Sequence, residues 1–75
     1  MFDDNKCLKE FGQFIREGRE KKNLYQRHVA EKLGTTQQYY SRIEKGQRNV
    51  DLVLAVKICQ ILNLNLSSFI RTYFK

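Results

Sequence analysis

Two glycines, Gly34 and Gly46, bracket the stretch that most constrains this chain: Gly-Thr-Thr-Gln-Gln-Tyr-Tyr-Ser-Arg-Ile-Glu-Lys-Gly. Thr35 and Thr36 carry hydroxyls that cap a helix N-terminus, and residues 36–45 make about two and a half turns before Gly46 ends them. Upstream, residues 26–33 set Val29, Ala30 and Leu33 on one helical face, with Gln26, Arg27, Glu31 and Lys32 outside. Gly34 falls between the two segments. Lacking a Cβ, it takes the positive φ that closes one helix and lets the next leave at a steep angle. Leu24 serves as a hydrophobic staple before the first of them, whereas Tyr25 stands where a short polar cap is favoured.

Two short helices about a glycine-containing turn form a helix-turn-helix signature. The second opens with Gln37 and Gln38, whose amides donate and accept at once and so match the N6/N7 edge of adenine in the major groove. Arg42 lies one turn down the same side, within reach of guanine or a phosphate, and Ile43 points the opposite way, into a core. The charge balance agrees with this chemistry: 14 Lys and Arg against 8 Asp and Glu give +6, which favours a polyanionic partner. That partner is nucleic acid or an anionic membrane surface. The basic residues are spread over several helices instead of one amphipathic face, which speaks against the membrane.

With 75 residues the chain makes one domain, residues 1–75, and is too short for two. Asp3, Asp4 and Asn5 are capping residues, and Leu8, Phe11, Phe14 and Ile15 define the apolar face of a first helix over residues 6–22. Gly12 and Gly18 inside it each cost about 1 kcal/mol relative to alanine, so a close neighbour is expected at each. Asp51 caps a fourth helix over residues 52–62 in which only Lys57 and Gln60 are polar; such a helix is central in the core or also part of an interface. Asn65 or Ser67 starts a fifth, with Leu66, Phe69, Ile70 and Tyr73 at i, i+3, i+4, i+7. The fold class is all-α, with five helices. Cys7 and Cys59 are far apart and His28 is the one histidine, so no zinc site is expected, and two separate thiols fit a cytoplasmic protein. The N-terminus lacks the apolar run of a signal peptide, and no segment approaches the length of a membrane span.

Three groups of residues, Phe11-Gly12 with Ile15 and Arg19, Leu24-Tyr25-Gln26 with Ala30 to Gly34, and Ser41 to Gly46, resemble the Cro/C1-type helix-turn-helix family of bacterial regulators and lambdoid phage repressors. The likeness covers about residues 8–70 and implies a five-helix lambda-repressor-like domain with helices 2 and 3 as the motif. By that resemblance Gln37, Gln38 and Arg42 contact bases. Gln26, Thr36, Tyr39, Lys45 and Arg48 contact the DNA backbone, Gln26 from a helix N-terminus whose dipole favours phosphate; for Tyr39, packing on the surface is the alternative. The resemblance also pairs Arg19 with Glu44 in a partly buried ion pair tying helix 1 to helix 3. Three departures are that Tyr25 replaces the family's usual small capping residue, that Tyr40 stands where the family usually has an aliphatic residue, its ring accommodated by Gly18, and that Val50 replaces a common proline. The stretch Arg48-Asn49-Val50-Asp51 is similar to one in controller proteins of restriction–modification systems.

The expected function is therefore sequence-specific binding of double-stranded DNA by a transcription regulator, without cofactor, metal or small-molecule ligand. Surplus apolar residues Leu54, Ile61, Ile70, Tyr73 and Phe74 point to a homodimer on a palindromic operator, its recognition helices roughly 34 Å apart. The alternative is a protein-interaction module of the same fold, an antitoxin or an antagonist of another regulator. No nucleophile–base pair, phosphate loop or carboxylate dyad supports an enzyme.

Overall fold

The computed structural model describes residues 3–73, which form five helices: α1 (Asp4–Lys21), α2 (Gln26–Leu33), α3 (Gln37–Glu44), α4 (Leu52–Leu62) and α5 (Leu66–Tyr73). Helix starts follow local capping chemistry. Asp3 accepts the Lys6 N–H, so α1 begins at Asp4, two residues before the expected 6; Thr36 caps α3 through the Tyr39 N–H and Asp51 caps α4 through the Leu54 N–H. The choice at α5 falls to Asn65, whose Oδ1 accepts the Ser67 N–H at 3.0 Å. At α2 the Tyr25 side chain caps nothing. His28 Nδ1, three residues on, accepts the Tyr25 N–H at 3.2 Å and supplies half of a capping box.

The first four helices end alike. After α1, α2, α3 and α4 the chain passes through Asn23 (φ 57°), Gly34 (φ 79°), Gly46 (φ 73°) and Asn63 (φ 54°). At each, paired N–H groups fold back on the last carbonyls, as in Thr35 N–H to Ala30 and Gln47 N–H to Arg42. Left-handed backbone at glycine or asparagine thus produces the sharp turns between short helices.

Phe11 and Ile15 of α1, Val29 and Ala30 of α2, Tyr40 and Ile43 of α3, and Ala55, Ile58, Cys59 and Leu62 of α4 make the core. α5 docks through Phe69, edge-on to Phe11 at 5.4 Å between ring centroids and 5.5 Å from Phe14. Both α1 glycines have the expected close neighbours. At Gly12 a Cβ would overlap the Glu44 carbonyl, so α1 crosses the end of α3 at backbone distance. At Gly18 the neighbour is Leu64, not the Tyr40 ring as expected. Tyr40 is fully buried in the main core, and the Leu64 side chain at the α4–α5 turn fills the space above Gly18. α4 is both core and surface, because its first turn leaves Leu52 at 72 % and Val53 at 62 % exposure.

Candidate nucleic-acid interface

A helix advances about 100° per residue, which places Gln37, Ser41 and Lys45 along one line of α3 and its C-cap, with Gln38 and Arg42 beside them. These five, together with Gln26 and Gln47, line one open, polar concavity. Gln37, Gln38, Arg42 and Lys45 are exposed, while Ile43 and Tyr40 on the far side are buried. Glu44, the one acid of α3, is turned inward, so no carboxylate lines this surface. Gln26, Gln37, Gln38, Arg42 and Lys45, all expected from the sequence, are thereby brought together; Ser41 and Gln47 are additions.

Glu44 is the scaffold's polar centre. Its carboxylate accepts Arg19 Nε at 2.7 Å, Arg19 Nη2 at 3.1 Å and Gln26 Nε2 at 2.9 Å, and Arg19 Nη1 reaches the Leu24 carbonyl at 2.8 Å. One network therefore fixes α1, the start of α2 and the end of α3 against one another. The hydrogen bonds to Glu44 raise the Arg19 pKa despite desolvation, and both side chains are buried. The Tyr40 hydroxyl lies beside this pair without a well-formed hydrogen bond to it. Burial, and then the Glu44 carboxylate, push its pKa well above that of an ordinary phenol. Gln26 is engaged inward by one amide N–H, and since the amide carries two, the other is left for a ligand at the surface.

The remaining expected residues lie off the concavity. Thr36 Oγ1 accepts the Tyr39 N–H, leaving its own proton to donate. Tyr39 stands on the flank of α3 beyond Arg42, half-buried, with the Arg48 guanidinium 4.5 Å from its ring centroid. A second stack, Arg27 over Tyr25 at 5.0 Å, sits at the start of α2. Of the residues expected at a dimer interface, Leu54 and Ile61 pack against the core, Tyr73 stacks on Phe69 at 5.8 Å, and Ile70 is exposed; Phe74 lies outside the described residues. Leu52, Val53 and Val56 are the exposed apolar residues that pattern reading missed. The signal was the run Leu52-Val53-Leu54, three residues that one helical turn cannot all direct inward.

Among the described residues no group of His, Cys, Asp and Glu could hold a metal ion, and no single helix is long and apolar enough to cross a membrane. The helix-turn-helix family matches residues 15–69 of the chain. Among solved structures, the restriction-modification controller protein C.AhdI from Aeromonas hydrophila is similar, with 35% identity and a TM-score of 0.80 over 91% of this chain and 99% of that one. No curated protein matches.

Proposed function

The chain belongs to the Cro/C1-type helix-turn-helix family of DNA-binding transcription regulators, and on that premise we propose that it reads double-stranded DNA with α3 laid in the major groove. Gln37 and Gln38 pair with base edges, adenine being the base a glutamine amide matches bidentately, and Arg42 takes a guanine or a phosphate further along. Gln26, Thr36, Lys45 and Arg48 hold the backbone and set the register without reading sequence, while Tyr39 takes the alternative role, packing on the surface beneath the Arg48 guanidinium. The observation that carries this reading is the exposed face of α3. It presents amides, a hydroxyl and cations and no carboxylate, because Glu44 is held inward by Arg19 and Gln26.

The whole chain acts as one domain, and two copies form the working unit. Leu52, Val53 and Ile70 are exposed apolar residues, and we assign them, with the half-buried Leu54, Ile61 and Tyr73, to contacts with a second copy. A two-fold pair presents two copies of α3 roughly 34 Å apart, one turn of DNA, and so matches a palindrome. The test is selection from a random-sequence duplex pool, run beside a Gln37→Ala/Gln38→Ala double mutant. A palindrome enriched by the native chain and lost by the mutant is the expected result. Salt-sensitive bulk binding without enrichment would overturn sequence reading and favour a protein-interaction module of the same fold.

A further inference from the structure

Resting on that reading, we propose that Tyr39 is a positioning residue, its ring holding the Arg48 guanidinium as a phosphate clamp on the flank of α3 opposite Gln26. About the α3 axis Tyr39 follows Arg42 by roughly 60°, whereas Glu44, to which Gln26 is bonded, lies on the other side of the Gln37 line. The recognition face thus has a donor on each edge: Gln26 from α2 and Arg48 from the turn after α3. A helix seated in the major groove meets one phosphate backbone on each side, and two flanking donors suit that arrangement.

The Arg48 side is built to be rigid. Its turn is locked by the Gly46 N–H to Ile43 and the Gln47 N–H to Arg42, at 3.1 and 2.9 Å. Tyr39 is packed against the core and its N–H is tied to Thr36. The guanidinium stacks 4.5 Å from the ring centroid, so its flat face is engaged and its N–H edge remains to donate. Among the described residues Arg48 forms no ion pair, leaving that edge without a carboxylate. Ordering a long cationic side chain before the ligand arrives removes most of that entropy loss from the binding step.

The experiment is a double-mutant cycle by fluorescence anisotropy on a duplex of arbitrary sequence and, separately, on any enriched operator, each over a range of salt. A phosphate clamp works on both, so its failure is distinguishable from a failure of sequence reading. Tyr39→Phe keeps the ring and should bind like the native chain. Tyr39→Leu should weaken binding about 2- to 10-fold, the range of a cation–π contact. It should cost nothing further in an Arg48→Ala background, and Arg48→Ala should lower the slope of log affinity against log salt by about 1. Additive losses would overturn the clamp, as would a Tyr39→Phe variant as weak as Tyr39→Leu, which would make the hydroxyl itself the contact. Thermal unfolding of each variant confirms that it is folded under the assay conditions.

Discussion

Replacing Glu44 by alanine should come close to unfolding this domain. The substitution removes the acceptor of three hydrogen bonds and leaves Arg19, 9 % exposed, with the Leu24 carbonyl and the more distant, exposed Glu20 carboxylate at 4.0 Å. Breaking a buried pair on one side costs about 3–5 kcal/mol, because the surviving charge stays desolvated. A domain of 75 residues has only about 4–11 kcal/mol to lose at typical stability per residue. Its unfolding entropy near the midpoint is about 0.16 kcal/mol/K, so the midpoint should fall by roughly 20–30 °C. The assay is thermal and urea unfolding followed by far-UV circular dichroism. Arg19→Met/Glu44→Leu, which replaces both charges by apolar groups, should cost less than Glu44→Ala alone. A Glu44→Ala protein destabilised by less than about 1 kcal/mol would refute the claim that this pair is buried and sets the helix geometry.

Tyr40→Phe should stabilise the protein by about 1 kcal/mol at neutral pH, since it deletes a buried hydroxyl that lacks a hydrogen bond; a comparable loss in urea unfolding would mean the hydroxyl has a partner. The folded-state pKa of Tyr40 is raised, so this group leaves the stability of the domain unchanged with pH below the unfolded-state pKa near 10 and lowers it as pH rises beyond that value. The native chain should therefore weaken more steeply than Tyr40→Phe above that pH, with Tyr40 phenolate absorbance appearing only on unfolding. Gly12→Ala should destabilise by at least about 1–3 kcal/mol by driving a methyl into the Glu44 carbonyl, whereas Gly18→Ala meets the branched end of Leu64, a side chain that can shift where backbone cannot, and should cost less; equal effects in urea unfolding would contradict this packing. Val53→Asp and Ile70→Asp should each give a folded monomer in sedimentation and weaken operator binding much more than arbitrary-duplex binding, and a native chain monomeric at high concentration would remove the dimer.

The elements legible in the sequence were those with a cap at one end and a period between. α2 and α4 lie where the pattern put them, 26–33 and 52–62, because Gly34 and Asp51 mark boundaries in local chemistry. α1 was misplaced at its start since Asp3, Asp4 and Asn5 all cap well, and only the geometry selects Asp3. Contacts between distant residues were not legible from periodicity. Arg19 and Glu44 look like solvated charges on two helix faces, and only the family likeness paired them. The neighbour of Gly18 depends on where the turn after α4 falls, which no spacing in α1 reveals, so Leu64 was missed and Tyr40 wrongly placed there. That Gln37, Gln38 and Arg42 share one exposed side of α3 follows from helical spacing whatever packs beneath, and Lys45 joins them in the same concavity. Its flanks required three dimensions. Gln26 turns out to be bonded to Glu44, and Arg48 to be stacked on Tyr39.

If the amides opening α3 read bases from the major groove, atom-level substitution in the DNA should reveal it. On the enriched operator, each half-site adenine is replaced in turn by its 7-deaza analogue, which removes the N7 acceptor and leaves the pairing edge intact. At one or two half-site positions this should weaken native binding about 5- to 150-fold, corresponding to about 1–3 kcal/mol, and leave the Gln37→Ala/Gln38→Ala protein unaffected. Native binding indifferent to N7 at every position, or equally sensitive in the mutant, would contradict base reading by these amides.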